Sequence, residues 1–292
     1  MPLPSTAIHR ARPNREERRR KLGRWLEHVF HQYHEPDAIG LDPLGWARRF
    51  DRPDDREVAA FLAATLAYGN VVQIHRTLED LFGRLGPSPA RFAHEFIPGR
   101  SDRALEGFHH RFHRACDLAA LIHLIGQMLR GWGSIENFWQ AGDGIEAGGD
   151  VTRRAGNFVR RALGLDLEPF RRWLGDPPRA SFLHLLPRAD GPSACKRLHL
   201  FLRWMVRPDD GLDLGLWRCE SPAQLLYPVD THILRVGRLL RATRRRQADA
   251  RSRDEITAFF RRFDPDDPVR FDFSLCRLGM LHPGPRLKAL LP

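Results

Sequence analysis

Of the chain's 47 basic residues only Lys21, Lys196 and Lys288 are lysine, and every other one is arginine. Arginine keeps its proton and cannot form an imine, whereas lysine can do both, so a lysine held inside an ordered motif points to amine chemistry. Chance also leaves three lysines in an arginine-rich chain. Lys196 is the one in such a motif, the stretch Leu185 to Arg207 that reads LLPRADGPSACKRLHLFLRWMVR. Pro187, Gly191 and Pro192 rule out a continuous helix, and Pro192 suits a first helical position, so a helix is expected from near Ser193. Stepping about 100° per residue from Lys196, Arg203 and Arg207 return to within about 20° of it, while Leu198, Phe201, Leu202 and Met205 gather on the opposite side. Two readings fit. In one, the turn at Gly191 and the first N–H groups near Ser193 seat a phosphate, and Arg197, Arg203 and Arg207 extend the charge. In the other, an ordinary amphipathic helix turns a solvated basic stripe outward.

The elements that must position such a group are helical nearly throughout. With 292 residues and 42% apolar content the chain can bury a full core as one large domain or two modest ones. Residues 1–21 carry six arginines among few apolar side chains and read as a basic flexible arm; 22–292 read as a single helical domain. A helix over Leu22 to His34 precedes breaks at Pro36 and Asp42 to Gly45. The run from Arg56 to Tyr68 is apolar on almost all sides and is expected to form the buried spine. Val71 to Phe82 and a helix capped by Asp117 follow, then the glycine-rich segment Gly142 to Asp150, which lacks the lysine and hydroxyl of a phosphate-binding loop. Val151 to Leu163, a helix opening at Asp230, one with a Ser252/Glu255 capping box, and a last one from Val269 to Gly279 complete the pattern. No strands are expected.

The formal charge of +11 and a pI near 10.5 favour an anionic partner. Nucleic acid comes before membrane, because no apolar run approaches the roughly 20 residues of a spanning helix. The four cysteines are too scattered for a metal knuckle, so neither metal nor cofactor is expected. With no secretory signal in view, a cytoplasmic monomer with reduced thiols is the expectation.

A hairpin of this type bearing a lysine on its second helix, followed by VDTHILRVGRL from Val229, resembles the helix-hairpin-helix DNA glycosylase superfamily that includes endonuclease III. The resemblance implies an all-α fold of two helical subdomains with a cleft between them, Lys196 as nucleophile, and Asp230 as the assisting acid. Their separation of 34 residues is nearer to the archaeal 8-oxoguanine glycosylase branch. The iron–sulfur cysteines of endonuclease III have no counterpart, and Gln73 stands one turn after the position of that family's duplex wedge. The segments DPLGWARRF, LAYG, SACKRL, FLRWMVR and DPVRFDFSL resemble in addition an uncharacterised bacterial family of unknown function, over roughly Leu41 to Gly279.

The resemblance implies a nucleoid-associated enzyme of base excision repair on damaged double-stranded DNA, a glycosylase with AP lyase activity directed at bases such as oxidised purines. The amine would attack C1′ of an extruded nucleotide and leave an imine able to eliminate. Asp230 also fits a plain helix cap, and the two roles are compatible. His232 suits a structural or phosphate-facing place. Trp204 and Trp217, with Phe201, suit either the core or a stacking pocket, and Asp272 either a base-reading carboxylate or an ion pair. Competing readings are a non-catalytic nucleic-acid-binding scaffold and a nuclease or RNA-modifying enzyme.

Overall fold

The computed structural model describes residues 14–142, 150–282 and 285–291. The expected arm therefore lies mostly outside the described residues, as does nearly all of the glycine-rich segment. Among the described residues the fold is all-α apart from one small ribbon. Helix α1 spans Arg15–Tyr33 and starts earlier than the apolar pattern alone suggests, because Asn14 Oδ1 accepts from Glu17 N at 2.8 Å. Two short 3₁₀ turns follow, Pro36–Leu41 and Pro43–Arg49, with Asp42 at their junction.

The spine is α2, Pro53–Leu66, whose last turns carry no polar face and are buried all round. Its two buried acids serve other helix starts. Asp55 Oδ1 accepts from Ala90 N at 2.9 Å, and Glu57 accepts from the amides of Ile135 and Glu136 at 3.0 and 2.9 Å. Helix α3, Val71–Leu85, is capped by Asn70. Against the expectation of no strands, β1 (His109–His110) and β2 (His113–Arg114) pair antiparallel through a turn at Arg111. Two-residue strands are too short to show alternation.

Helix α4, Ala115–Trp132, places Asp117 at its third residue, where the carboxylate accepts from Arg114 N at 2.9 Å. Helix α5 is Val151–Leu163, and α6, Ala180–Leu185, leads into the central turn. Helix α7, Lys196–Val206, packs along α2, while α8, Thr231–Leu239, and α1 both pack on α10, Asp272–Leu281. Between them α9, Ala250–Phe260, opens on a capping box made by Asp249 and Ser252. Ser252 is thus the third helical residue, and Glu255 accepts instead from Thr243 Oγ1. One continuous apolar core runs from Leu26 to Leu287. Among the described residues no helix is long and apolar enough to cross a membrane.

Candidate active site

Helix α7 begins at Lys196, three residues later than its sequence suggests. Ser193 bridges to Asp249, and Ala250 N donates to Pro192 O at 2.9 Å, so the residues before the helix are held extended by the loop ahead of α9. Cys195 takes the cap position with φ 49°, in the left-handed region, and its thiol donates to Pro187 O at 3.4 Å. A tertiary contact has overridden the local start signal. Its effect is to put Lys196 at the first helical position, where its side chain is 34% exposed while almost every other α7 residue is buried.

Asp230 is the residue this lysine meets. It caps α8: Oδ1 accepts from His232 N and Ile233 N, both at 2.8 Å, which fixes the carboxylate plane. The second oxygen, Oδ2, faces out of the cap and lies 3.6 Å from Lys196 Nζ. That same oxygen is 3.7 Å from Cys276 Sγ on α10. Burial first, and the neighbouring acids next, push the Cys276 thiol well above its ordinary range, so it stays protonated and donates to Asp230. Asp42, at the junction of the two 3₁₀ turns, completes the surroundings. Its carboxylate accepts from Leu44 N at 2.9 Å, burial raises its pKa, and the charges of Arg203 and Lys196 oppose that rise. A primary amine, a fixed carboxylate and a thiol donor on three separate helices thus converge. The set can move a proton from the amine to Oδ2 and leave a nucleophile.

A family model for a protein of unknown function (DUF2400) matches residues 42–281. The chain belongs to that family. No curated protein and no solved structure matches it. The matched region of this DUF2400 chain holds every residue of the Lys196, Asp230, Cys276 and Asp42 group.

The expected basic stripe along the DUF2400 chain's α7 is not a surface. Arg203 and Arg207 are 3% and 6% exposed, too little to reach a phosphate. Arg203 pairs with Asp213 at 3.2 Å and with Asp272 at 2.5 Å. Arg207 pairs with Asp213, with Asp210 at 3.1 Å and with Asp267 at 2.8 Å. Buried ions persist only when paired, and acids from the loop after α7 and from the α10 end supply the partners. Asp272, offered as a base reader, is therefore spent on Arg203, and burial lifts its pKa to about 6. Arg197 is buried too, and donates to Thr65 O at 2.7 Å.

The aromatic pocket is likewise corrected. Trp204 is fully buried, and Trp217 is 2% exposed with its indole N–H donating to Glu57 Oε1 at 2.7 Å. Both are core. Gln73 is exposed in the first turn of α3, Ser193 is exposed beside a half-buried Gly191, and His232 is half-buried against Arg235. Of these four only His232 meets the pair, through its backbone N–H on Asp230 Oδ1 and not through its ring.

Cys276 and Asp42 were missed by sequence reasoning. Asp42 stood in a DPLG turn and read as punctuation, and a single cysteine on an apolar helix carries no spacing signal. A histidine cluster was missed as well. Tyr68 lies 4.7 Å from the His110 ring, 5.7 Å from His113 and 4.9 Å from His184, with the Arg197 guanidinium 5.0 Å above it. Burial lowers all three histidines to about 4. They are neutral aromatic props for the start of α7. Among the described residues no three His, Cys, Asp or Glu side chains are grouped to hold a metal ion.

Proposed function

We propose that the chain is a lysine-dependent DNA glycosylase with AP lyase activity, built on a helix-hairpin-helix glycosylase-like plan with its cleft at Lys196. The observation that carries the reading is the 3.6 Å approach of the Lys196 amine to the free oxygen of a carboxylate that helix α8 holds rigid. A buried ion pair would serve stability alone, but this one is open to solvent on the lysine side.

In the proposed reaction Asp230 Oδ2 takes a proton from the ammonium. The freed nitrogen pair forms a bond to C1′ of an extruded nucleotide, and the glycosidic C1′–N bond breaks with its electrons going to the base. The base leaves with the proton Asp230 has taken up. Opening of the C1′–O4′ bond, with a proton passing from the attached nitrogen to O4′, then gives a protonated imine on Lys196; Asp230, ionised again, takes a proton from C2′, and the electrons of that C–H bond expel the 3′ phosphate and cleave the strand. Asp230 also balances the positive charge that grows on the sugar as the base departs. Cys276 would hold Oδ2 on the lysine side throughout.

The experiment is strand cleavage by the purified chain on duplexes carrying an oxidised purine, an oxidised pyrimidine or an abasic site. Cleavage of at least one, lost in Lys196→Gln, is expected. Duplex binding without cleavage of any of them would leave a non-catalytic nucleic-acid-binding protein.

A further inference from the structure

With the arginines of α7 buried, the charge that meets a nucleic-acid backbone has to come from elsewhere. We infer that the arginine loop after α8, with Arg238, Arg241, Arg244 and Arg246, is the main phosphate-contacting surface of the protein and grips the backbone of the nucleic acid on which Lys196 acts. The inference rests on the proposed function for its partner, and on separate residues for its evidence.

The contrast between the two arginine sets is direct. Arg203 and Arg207 have two and three carboxylates respectively. Arg238, Arg241, Arg244 and Arg246 are all exposed, and among the described residues none has a side-chain hydrogen bond or an ion pair. Only Arg245 is neutralised in this loop, by Asp249, with Nε 2.8 Å from both carboxylate oxygens. Cations at the end of α8 suit its dipole, but that effect is confined to the last turn and does not account for Arg244 or Arg246.

The loop is also built rather than loose. Ala242 N donates to Gly237 O at 2.7 Å, and Arg241 takes φ 61°, which few non-glycine residues adopt. Thr243, 4% exposed, accepts from Arg245 N at 3.1 Å and donates to Glu255. These ties leave an open hollow lined by Arg241, Ala242, Thr243, Arg244, Arg245 and Glu255. A preset loop loses little entropy on binding.

Its position fixes the occupant. The loop's far end is pinned to the turn before α7 through the Ser193 to Asp249 bridge and the Ala250 N to Pro192 O bond, three residues before Lys196. Its near end follows α8, a nine-residue helix capped at its start by Asp230. At 1.5 Å per residue that helix is about 14 Å long, the rise of about four base pairs at 3.4 Å each. A backbone reaching the amine at one end therefore passes the arginines within a few nucleotides. A membrane surface suits the loop less well, since none of the exposed large apolar side chains falls between residues 238 and 251 to enter the lipid.

The test is fluorescence anisotropy of the full chain on a duplex of about 20 base pairs, titrated at several NaCl concentrations. Each lost phosphate contact lowers the log–log salt slope by about 0.9, so R241Q/R244Q/R246Q should flatten it by roughly 2 to 3. Affinity near physiological salt should drop at least roughly tenfold. The charge-matched control R91Q/R103Q/R172Q, on exposed arginines elsewhere, should leave both nearly unchanged. R241K/R244K/R246K should keep the slope, and guards against a loop that fails to fold. A triple variant that behaves like the control overturns the inference. So does wild-type binding to phosphatidylglycerol vesicles that exceeds duplex binding and is lost in the same triple variant. Strand cleavage is scored separately: cleavage with an unchanged slope removes this surface alone, and a changed slope without cleavage removes the enzyme alone.

Discussion

Helix α7 carries two kinds of cation–carboxylate contact, and they differ in solvent rather than in chemistry. At its start, Lys196 meets Asp230 at 3.6 Å with the lysine 34% and the acid 18% exposed. Two turns on, Arg203 meets Asp213 and Asp272 with every partner at 4% or less. The dry set is stoichiometrically crowded, guanidinium forks against acids from the loop after α7 and from α10, and its permanent charges cannot leave without exposing a buried ion. The wet pair uses the one cation that can give up its proton, beside a carboxylate already oriented by backbone amides. Arginine sits where charge must stay and lysine where it must change.

The largest expected effect comes from breaking the dry side. Arg203→Met leaves Asp213 short of a partner and Asp272 with none among the cations, and should cost about 3 to 5 kcal/mol in chemical denaturation. A loss under about 1 kcal/mol would mean that the network is hydrated and that the two ends of α7 are alike.

The histidine cluster at the other side of α7 gives a pH signature. His113 is held neutral, its pKa lowered from 6.5 to about 4 by burial, so the unfolded chain binds this proton before the folded one does. Its contribution is full above about 6.5 and is lost as the pH falls towards 4. The stability advantage of the wild type over His113→Asn, followed by urea unfolding, should therefore shrink over that interval. Asp272, raised to about 6, acts with the opposite sign, and the comparison between two chains that share it removes it.

Asp230 separates the cap from the chemistry. Asp230→Ala should lose about 1 kcal/mol, the cost of an N-cap, whereas Asp230→Asn should stay within a few tenths because asparagine caps as well. Both should abolish strand cleavage. Cleavage retained in Asp230→Asn would make the residue a cap and nothing more. The smallest effect is on stability at Lys196: Lys196→Met should change it by less than about 1 kcal/mol, as for a partly exposed pair. A larger loss, measured the same way, would class Lys196 with Arg203.

Much of this was legible before the fold was known. The apolar run of α2 marked a helix buried on all sides, Asp230 read as a cap from its place before a periodic helix, and lysine scarcity singled out Lys196. What escaped depends on tertiary partners. A helical wheel assumes that one face is wet, and so it assigned Arg203 and Arg207 to solvent. The segment after Arg207 looked like a polar linker, yet Leu214 N donates to Trp204 O at 2.8 Å and Trp217 N to Met205 O at 2.8 Å, folding its acids back over the helix. The density of aspartates just after two arginines was the available sign. Cys276 had none, because only the packing of α10 against α8 brings it to Asp230.

The most direct test is to incubate the chain with an abasic duplex in borohydride, which reduces an imine to a stable amine, and to locate the adduct by peptide mass spectrometry. The account predicts a single sugar adduct on Lys196, absent in Asp230→Asn. An adduct on Lys21, on Lys288 or on a terminal amine, or none at all with duplex bound, would contradict it.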